Sequence, residues 1–322
     1  MTTTLVEQTE RALTAPQFRA LSAVPPELEW FANITNPRTR VAYEYDVKAF
    51  ARFVGIQTPE ECRLVTRAHV IAWRKELEGH GLADASIRRK LSALSSFFDG
   101  LCERNAVADN PVHGVERPRS SSHEGLTPAL SDAQARRLLN APDAGTLKGK
   151  RDRAILSTLA HHALRRAELC GLRVKDVQQR HGLVHLRIHG KRGKIRFIPM
   201  HPETQRILAE YLEAAGHGQD LGGPLFRPVK NNTTGTLRKA LDPRSVLRDV
   251  VQHYAKAVGL SEQVQGLCTH SLRATGATNA LEHGADIAEV QAWLGHADIS
   301  TTRLYDHRRR RPEESPTFRV RF

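Results

Sequence analysis

The sequence predicts a mainly α-helical protein with one small β-sheet, an α+β fold divided into an all-helical N-terminal domain and a larger C-terminal domain. Three observations support this prediction. The chain has 322 residues, enough for two domains of ordinary size. Apolar residues recur every three or four positions through the first third of the chain, which is typical of amphipathic helices. In the second part, only two short β-branched runs interrupt the helical pattern.

The N-terminal domain is predicted over residues 26–115, after a flexible arm at 1–25 that has no strong periodicity. Asn36 followed by Pro37 is typical of a helix start, because Asn caps the helix and Pro fits its first turn. A second helix is expected after Thr66. A third is expected near Ser86, with its apolar side chains on one face and three consecutive basic side chains directed outward, Arg88, Arg89 and Lys90.

The C-terminal domain is predicted over residues 127–311, between a linker at 116–126 and a C-terminal tail at 312–322. The linker is rich in Pro and Ser and has no apolar period. Ser131 is expected to cap the first helix of this domain, and another helix is expected from about Lys150 to Ala163. A β-hairpin should follow, because Gly190 and Gly193 lie in a basic turn between two strand-like runs. Further helices are expected near residues 202–215, 244–257, 271–282 and 286–294.

Positive charge is concentrated in the second part of the chain. The protein has 48 Lys and Arg against 35 Asp and Glu, a net charge of +13. Residues 1–115 carry 14 basic and 14 acidic side chains, whereas residues 116–322 carry 34 and 21. A basic domain of this kind favours a polyanion such as nucleic acid, although the same charge can serve solubility alone.

Other classes of protein are disfavoured by composition. The N-terminus has no basic region followed by an apolar core, and no apolar stretch reaches the length of a membrane span. Four cysteines are far apart in sequence and form no C-x-x-C pair, which argues against a disulfide scaffold or a zinc ribbon. These features indicate a protein of the reducing cytoplasm.

Chemically informative residues lie in several separate segments. Arg165 is followed one turn later by Glu168, which by itself suggests a structural ion pair. His270 and Arg273 are three residues apart on a predicted helix and therefore share one face, where they suit a phosphate; a solvated helix start is the alternative. The tract Leu294-Gly295-His296 is typical of a helix end, and Tyr305 follows nine residues after the histidine.

Taken in order, these motifs resemble the tyrosine recombinases, the lambda-integrase or phage integrase family that includes Xer and Cre proteins. The matching elements are an Arg, a Lys in a β-turn, His-x-x-Arg, Leu-Gly-His, and a Tyr nine residues later. The start Asn-Pro-Arg-Thr-Arg-x-x-Tyr at 36–43 resembles that of the family's core-binding domain, a SAM-like helical domain. The resemblance covers most of the chain and implies a two-domain, Xer-like layout with a catalytic domain from about residue 125 to 310.

The resemblance also implies roles for single residues. Tyr305 matches the nucleophile, and Arg165 and Arg273 match the pair that holds the scissile phosphate. The other matching positions are the hairpin lysine Lys191, the first and second histidines His270 and His296, and the acidic residue Glu168, which supports the first arginine. Lys194 competes with Lys191 because both lie in the same turn, with Arg192 between them; the position directly after Gly190 favours Lys191.

These residue types suit phosphodiester chemistry. Attack on the phosphate places negative charge on its non-bridging oxygens, which two guanidiniums can bind bidentately. Tyrosine has a pKa near ~10 and needs nearby cations and His270 to lose its proton. Lys191 can protonate the leaving 5′ oxygen, giving a 3′-phosphotyrosyl bond and a free 5′ hydroxyl. Because this bond retains the energy of the cleaved linkage, no cofactor, ATP or metal is expected.

The implied function is site-specific recombination of double-stranded DNA at core sites, through a Holliday junction, by a homotetramer of two synapsed dimers. Two alternatives stay open: strand relaxation by a type IB topoisomerase, and a catalytically silent DNA-binding regulator. The residues expected to contact DNA are Arg88, Arg89, Lys90, Arg117, Arg119, Arg192 and Lys194, although solvated surfaces explain several of them equally well.

Several positions depart from the family pattern. Gly100 and Gly276 lie inside predicted helices, where glycine costs ~1 kcal/mol relative to alanine. Ala163 stands where glycine is frequent before Leu-Arg. After the four arginines at 308–311, residues 318–322 alternate apolar and basic side chains, which is typical of a strand. The resemblance implies that this segment docks on a neighbouring subunit.

Overall fold

A computed structural model of the protein describes residues 13–118, 127–190, 193–230 and 237–306. The chain divides into an N-terminal unit, residues 1–121, and a C-terminal unit, residues 122–322. The described secondary structure is mainly helical, with one small antiparallel sheet, so the predicted α+β class is confirmed. No helix in the described segments is long and apolar enough to cross a lipid bilayer.

The N-terminal unit is all-helical in its described part. Its helices are α1 (Ala15–Ser22), α2 (Pro26–Asn33), α3 (Pro37–Val54), α4 (Arg67–Gly79) and α5 (Asp84–Glu103), with a 3₁₀ turn at Pro59–Leu64. Helix α3 begins where the sequence predicts, because the Asn36 side chain accepts hydrogen bonds from the backbone N–H groups of Arg38 and Thr39. It ends at Gly55, which adopts the left-handed conformation, with φ of 80°.

Helix α1 lies within residues 1–25, where the sequence predicts a flexible arm. Thr14 accepts a hydrogen bond from the backbone N–H of Gln17, and the Gln17 side chain accepts one from the Thr14 backbone N–H. This reciprocal capping, with Pro16 in the first turn, stabilises a helix start without any apolar period. Residues 1–12 lie outside the described part of the chain.

Aromatic and aliphatic side chains form the core of the N-terminal unit. The predicted inward faces of α4 and α5 are buried there, including Trp73 and Leu94. Gly100 has a packing reason: a Cβ at this position would lie 2.9 Å from Cδ1 of Trp30. The indole of Trp30 therefore packs directly against the backbone of α5, which explains the glycine that the sequence leaves unexplained.

The C-terminal unit begins with the predicted Ser131-capped helix and contains a single described sheet. Its helices are α6 (Asp132–Leu139), α7 (Leu147–His161), α8 (Arg166–Gly171), α9 (Pro202–Ala215), α10 (Pro243–Ser245), α11 (His253–Ala257), α12 (Leu260–Gln263), α13 (Thr269–Glu282), α14 (Ile287–Leu294) and α15 (Ser300–Arg303). A π-helical stretch at Val246–Gln252 joins α10 to α11, so the helix predicted at 244–257 is continuous but irregular.

The sheet has three antiparallel strands in the order β1-β2-β3: β1 (Val177–Arg180), β2 (Leu183–His189) and β3 (Ile195–Pro199). Strands β2 and β3 form the predicted hairpin, with Leu186 opposite Ile198, and the Gly190 N–H donates to the Lys194 carbonyl at 2.7 Å. Strand β1, of sequence Val-Gln-Gln-Arg, has no apolar alternation and was not predicted. Residues 191–192 of the turn lie outside the described segments.

Two apolar clusters stabilise the C-terminal unit. The larger one surrounds α7, whose residues Ile155, Leu156 and Leu159 are fully buried. The smaller one joins Ala163 to α13 and α14 and includes Tyr305. Ala163 has φ of 47°, a left-handed conformation that costs a residue with a Cβ roughly 1–2 kcal/mol. The glycine expected at this position would adopt it without strain.

Gly276 allows α13 to lie directly against the end of α7. A Cβ at this position would be 2.4 Å from the backbone oxygen of Ala160, closer than any real contact. We expect Gly276→Ala to lower the free energy of unfolding by about 1–3 kcal/mol, because overpacking outweighs the ~1 kcal/mol gain in helix propensity. Chemical denaturation measures this change. Gly171→Ala is the matched control, since nothing lies within 4 Å of that position; equal effects of the two substitutions would contradict the prediction.

Candidate active site

A cleft of about 640 Å³ in the C-terminal unit brings together side chains from distant parts of the sequence. Its lining includes most of the predicted reactive groups and two cations of the hairpin: Arg165, Lys194, Arg196, His270, His296 and Tyr305. Arg273 lies beneath this surface and is fully buried. Five of the six residues predicted to be catalytic are thus neighbours, and the sixth, Lys191, lies outside the described residues.

Tyr305 follows the short helix α15 and is almost buried, with 6% of its surface exposed. Its hydroxyl lies 3.1 Å from Nε2 of His270, and its backbone oxygen accepts a hydrogen bond from the Thr278 hydroxyl at 3.3 Å. The phenol ring is 6.2 Å from the imidazole of His296, measured between centroids. The position of the hydroxyl is therefore fixed from α13 and from the Leu-Gly-His segment.

Two opposing effects act on the proton of Tyr305. Burial raises the pKa of its hydroxyl, whereas the positive charges of Arg273 and Arg165 lower it, and burial is the larger effect. At His270, partial desolvation and the same two arginines lower the pKa below its usual value. His270 is therefore neutral at pH 7, and its Nε2 can accept the hydroxyl proton at hydrogen-bond distance.

Arg273 is held by backbone groups on two sides of the cleft. Its guanidinium donates to the carbonyl of Ala163 and, at 2.7 Å, to the carbonyl of Leu294. The Nε of Arg273 is buried without a hydrogen-bond partner among the described residues. Burial and the charge of Arg165 lower the pKa of Arg273 to about 10, so it stays protonated at neutral pH. The buried positive charge makes the potential of the cleft above it more positive, which suits an anionic ligand.

His296 has a defined tautomer. Nη2 of Arg273 lies 2.9 Å from Nε2 of His296 and can only donate, so Nε2 carries no proton. The proton is then on Nδ1, which donates to the Thr302 hydroxyl at 2.9 Å. Burial and the charges of Arg273 and Arg165 lower the pKa of His296 to about 4, so it is neutral at pH 7. Thr302, which is fully buried, thereby orients the imidazole.

Glu168 holds two arginines in the cleft. Its carboxylate accepts hydrogen bonds from the backbone N–H of Arg165 at 2.8 Å and from the Arg165 guanidinium at 2.9 Å. Arg196 donates two more hydrogen bonds at 3.0 Å each. Burial alone would raise the pKa of Glu168, but the hydrogen bonds from Arg196 and Arg165 lower it below its usual value. The predicted pairing of Arg165 with Glu168 is present. Glu168 also pairs with Arg196, so that one carboxylate holds two arginines.

Arg196 is the residue that sequence analysis missed. Besides holding Glu168, it donates through Nε to the carbonyl of Trp293 at 3.1 Å, and so joins β3 to the end of α14. The alternation of the strand could have identified it, because Arg196 and the buried Ile198 are two residues apart and therefore lie on the same face of β3. A charged residue on the inward face of a strand implies a buried partner.

We expect Arg196→Met to reduce the rate of DNA cleavage by about 10–100-fold at neutral pH, because Arg165 loses the fixed carboxylate that positions it. The loss should increase as the pH falls. Without Arg196, burial raises the pKa of Glu168, and the carboxylate protonates sooner. Rates of cleavage measured between pH 5 and 8 test this expectation.

The matched control is Arg187→Met, which removes an arginine from β2 that pairs with the buried carboxylate of Asp176 at 2.8 Å. Neither residue lines the cleft. If both variants lose cleavage to a similar extent, with the same pH profile, the cause is general destabilisation. That result would contradict the prediction that Arg196 positions Arg165 through Glu168.

The residues expected to contact DNA are placed unevenly. Arg88 is half-buried, and Arg89 and Lys194 are exposed. The outward orientation predicted for Lys90 is wrong: it is 8% exposed, and its amine lies 3.1 Å from a carboxylate oxygen of the fully buried Asp46. Asp46 also pairs with Arg89. A buried carboxylate needs a counter-charge, and the Lys90 side chain therefore turns inward to pair with Asp46 of α3.

Arg117 is exposed at the end of the N-terminal unit, and its guanidinium donates to the Ser92 hydroxyl at 2.8 Å. Arg119 and Arg192, like Lys191, lie outside the described residues, as does the tail from residue 307 onward, with its four arginines and the predicted docking strand.

Comparisons with known proteins identify the family of both parts of the chain. Residues 128–311 match the phage integrase family, and residues 34–105 match the phage integrase N-terminal SAM-like domain. The chain is 33% identical to the tyrosine recombinase XerC of Pelobacter propionicus, over 91% of each chain. It is 34% identical to the tyrosine recombinase XerD of Pseudomonas putida, over 86% of this chain and 89% of the relative.

Solved structures share the fold. A lambda integrase fragment, crystallised as a dimer bound to a COC′ core site, is 19% identical, with a TM-score of 0.66 over 88% of this chain and 94% of that chain. A lambda integrase tetramer bound to a Holliday junction is 19% identical, with a TM-score of 0.65 over 86% and 74% of the two chains. A post-cleavage complex of the XerH recombinase with its difH substrate is 22% identical, with a TM-score of 0.60 over 76% and 69%.

Proposed function

Since the chain belongs to the phage integrase family, we propose that its cleft cuts and rejoins DNA through a covalent bond between Tyr305 and a 3′ phosphate. The protein is a site-specific tyrosine recombinase. The observation that carries the assignment of the nucleophile is the contact between the Tyr305 hydroxyl and Nε2 of His270, 3.1 Å apart, in a cleft that also holds Arg165.

The cleavage step follows from the chemistry of these groups. The Tyr305 oxygen attacks phosphorus, and its proton passes to the neutral Nε2 of His270. Negative charge grows on the non-bridging oxygens, where Arg165 in the cleft lining and the buried positive charge of Arg273 beneath it stabilise it. The bond from phosphorus to the 5′ oxygen breaks as the new ester forms. A 5′ hydroxyl from another strand then reverses the step and releases Tyr305.

His296 acts on this reaction through Arg273. Its Nε2 accepts a hydrogen bond from Nη2 of Arg273, and its Nδ1 donates to Thr302. The imidazole, itself held by Thr302, therefore fixes one edge of the guanidinium. In the free protein the guanidinium already has three acceptors, two carbonyls and His296. The arrangement is thus organised before DNA arrives, which reduces the reorganisation needed in the transition state.

Lys191 is proposed as the acid that protonates the leaving 5′ oxygen, on the strength of its position in the family motif. We expect Lys191→Ala to slow cleavage by about 10²–10⁴-fold on ordinary DNA. Cleavage should be restored on DNA with sulfur in place of the 5′ bridging oxygen, because a thiolate with a pKa near ~8.5 leaves without protonation. Single-turnover cleavage of both substrates measures this difference.

Lys194→Ala is the comparison variant, since Lys194 is exposed and lines the cleft. It should show a smaller loss that the sulfur substitution does not restore. Rescue of Lys194→Ala in place of Lys191→Ala would transfer the acid role to Lys194.

The two rival functions predict different products. A type IB topoisomerase relaxes a supercoiled circle without joining new partners, and a silent regulator forms no covalent complex. The tyrosine recombinase relatives argue against the topoisomerase, and the nucleophile, base and arginines gathered in one cleft argue against the silent regulator. A supercoiled circle with two target sites separates them. Deletion or inversion supports recombination, and relaxation alone supports the topoisomerase.

DNA is the partner of this protein, and we propose that it acts at specific core sites as a homotetramer of two synapsed dimers. Support comes from the DNA-bound dimer and junction-bound tetramer of lambda integrase, whose fold this chain shares. Arg88, Arg89, Arg117 and Lys194 are proposed backbone contacts, with Arg119 and Arg192 from the sequence alone. A location at the nucleoid in the bacterial cytoplasm is also proposed, from the DNA chemistry and the four free cysteines.

The experiment that tests the function recovers the target. The full-length protein is incubated with randomised DNA duplexes that carry a 5′ bridging sulfur at successive positions, which trap the covalent intermediate. Denaturation, digestion and sequencing of the attached strand give the junction. A shared sequence at the attached 3′ end supports site-specific cleavage by Tyr305, and random attachment or none contradicts it.

A further inference from the structure

Two histidines and one glutamate converge on the surface of the C-terminal unit, away from the catalytic cleft. His161 is the last residue of α7, His201 caps α9, and Glu203 lies in the first turn of α9. One nitrogen or oxygen of each side chain lies within 4.8 Å of those of the other two. None of these three residues lines the cleft that contains Tyr305.

The ring of His161 is oriented by neighbours that leave one nitrogen available. Its Nδ1 lies 3.1 Å from the hydroxyl of Ser157 and 3.1 Å from that of Thr204, and both hydroxyls belong to buried residues. The Nε2 has no hydrogen-bond partner within the described segments. An imidazole held at Nδ1 by a second group, with Nε2 free, is the usual arrangement of a histidine that binds a metal.

The ring of His201 lies parallel to that of His161, with 4.3 Å between centroids and 9° between planes. Its Nδ1 accepts the backbone N–H of Glu203 at 3.3 Å, a long hydrogen bond. When a metal binds at Nε2, the imidazole proton lies on Nδ1, which can then no longer accept the hydrogen bond from the Glu203 N–H. The carboxylate of Glu203 completes a set of two nitrogens and one oxygen that is open to solvent on one side.

We propose that His161, His201 and Glu203 bind a divalent transition-metal ion of the zinc type. Imidazole nitrogen suits zinc and its neighbours in the first transition row, whereas magnesium and calcium prefer oxygen ligands. Bonds of 2.0–2.2 Å place tetrahedral ligand atoms about 3.4 Å apart. Since the lone pairs of two parallel imidazoles do not converge, the exposed His201 ring turns out of its stack on His161 to close the site on an ion. Water from the exposed side supplies the fourth ligand.

The ion would have a structural role. It would connect the end of α7 to the start of α9, next to the contact in which the His201 backbone N–H donates to Nε2 of the buried His162 at 3.0 Å. The segment after His161 leads through Ala163 to Arg165. The proposed ion therefore fixes the chain just before a residue of the cleft.

The test measures binding of zinc alone to the full-length protein, by competition with a chromophoric chelator, and the absorption spectrum of bound cobalt(II). His201→Asn keeps a good helix cap, and Glu203→Gln keeps the shape of the side chain, so both variants should fold. We expect one zinc ion to bind the unaltered protein, and each variant to bind it at least tenfold more weakly with loss of the cobalt spectrum. Thermal unfolding without metal checks the fold.

His283→Asn is the matched control, since His283 is an exposed histidine at the end of α13. This variant should bind zinc with the same affinity as the unaltered protein. Absence of zinc binding to the unaltered protein overturns the proposal. So does unchanged affinity in both ligand variants, or loss of binding in His296→Asn in place of His201→Asn, which would move the ion to the catalytic cleft.

Discussion

Replacement of Tyr305 by Phe should abolish covalent attachment to DNA, a loss on the order of 10⁴-fold or more, as expected for an enzyme deprived of its nucleophile. No other hydroxyl within the described lining of the cleft lies at hydrogen-bond distance from His270. The phenyl ring should keep its packing against α13 and α14, so folding and DNA binding should persist. Loss of one hydrogen bond changes the free energy of unfolding by only about 0.5–1.5 kcal/mol.

Covalent complexes on a nicked suicide substrate, separated on denaturing gels, measure the first effect, and gel shifts measure binding. Tyr211→Phe is the matched control, because its buried hydroxyl accepts one long hydrogen bond, of 3.3 Å, from the backbone N–H of Arg227, and neither residue lines the cleft. Cleavage by Tyr211→Phe should match that of the unaltered protein. Covalent attachment that persists in Tyr305→Phe would show that another group is the nucleophile.

Arg273→Lys should have the second largest effect, because it acts on stability and on catalysis together. The guanidinium joins the carbonyls of Ala163 and Leu294 and the imidazole of His296, three acceptors that one ammonium cannot reach at once. Buried acceptors left without donors cost about 1–3 kcal/mol each, so we expect a loss of about 2–4 kcal/mol in the free energy of unfolding. Cleavage per folded molecule should fall by about 10²–10³-fold.

Arg151→Lys separates the two effects. Arg151 is also buried, but its hydrogen bonds go to Asp152 and the Arg227 carbonyl, neither of which lines the cleft, whereas Arg273 contacts His296 in the lining. Both variants should unfold more easily in urea, and only Arg273→Lys should lose cleavage under conditions where both are fully folded. Equal cleavage by the two folded variants would reduce Arg273 to a structural role.

Sequence patterns predicted the elements whose causes are local. Side-chain caps set the starts of α3 and α6, and apolar periodicity identified the buried faces of α4 and α5. Strand β1 was missed because its stability comes from pairing with β2, through contacts such as Val177 opposite Leu186. Long-range charge pairing was missed for the same reason: Asp46 and Lys90 are 44 residues apart, and nothing near Lys90 in sequence indicates that it is buried.

Close packing explains two of the departures from the family pattern, and nothing in the structure explains the third, Ala163. Gly100 accommodates Trp30, and Gly276 accommodates the backbone at Ala160. Ala163 retains a Cβ in a conformation that favours glycine, and its carbonyl is one of the acceptors for Arg273. Such contacts depend on the approach of segments more than 60 residues apart, which a single sequence does not reveal.

The contacts of Tyr305 within its own chain have a consequence for the proposed tetramer when intact and defective copies are mixed. Its hydroxyl contacts His270, and its backbone contacts Thr278, both from the same polypeptide. The described nucleophile, base and arginines are thus complete within one copy. A copy with a defective active site should prevent cleavage only of the DNA strand to which it is bound. An intact neighbour should not supply a tyrosine that restores cleavage of that strand.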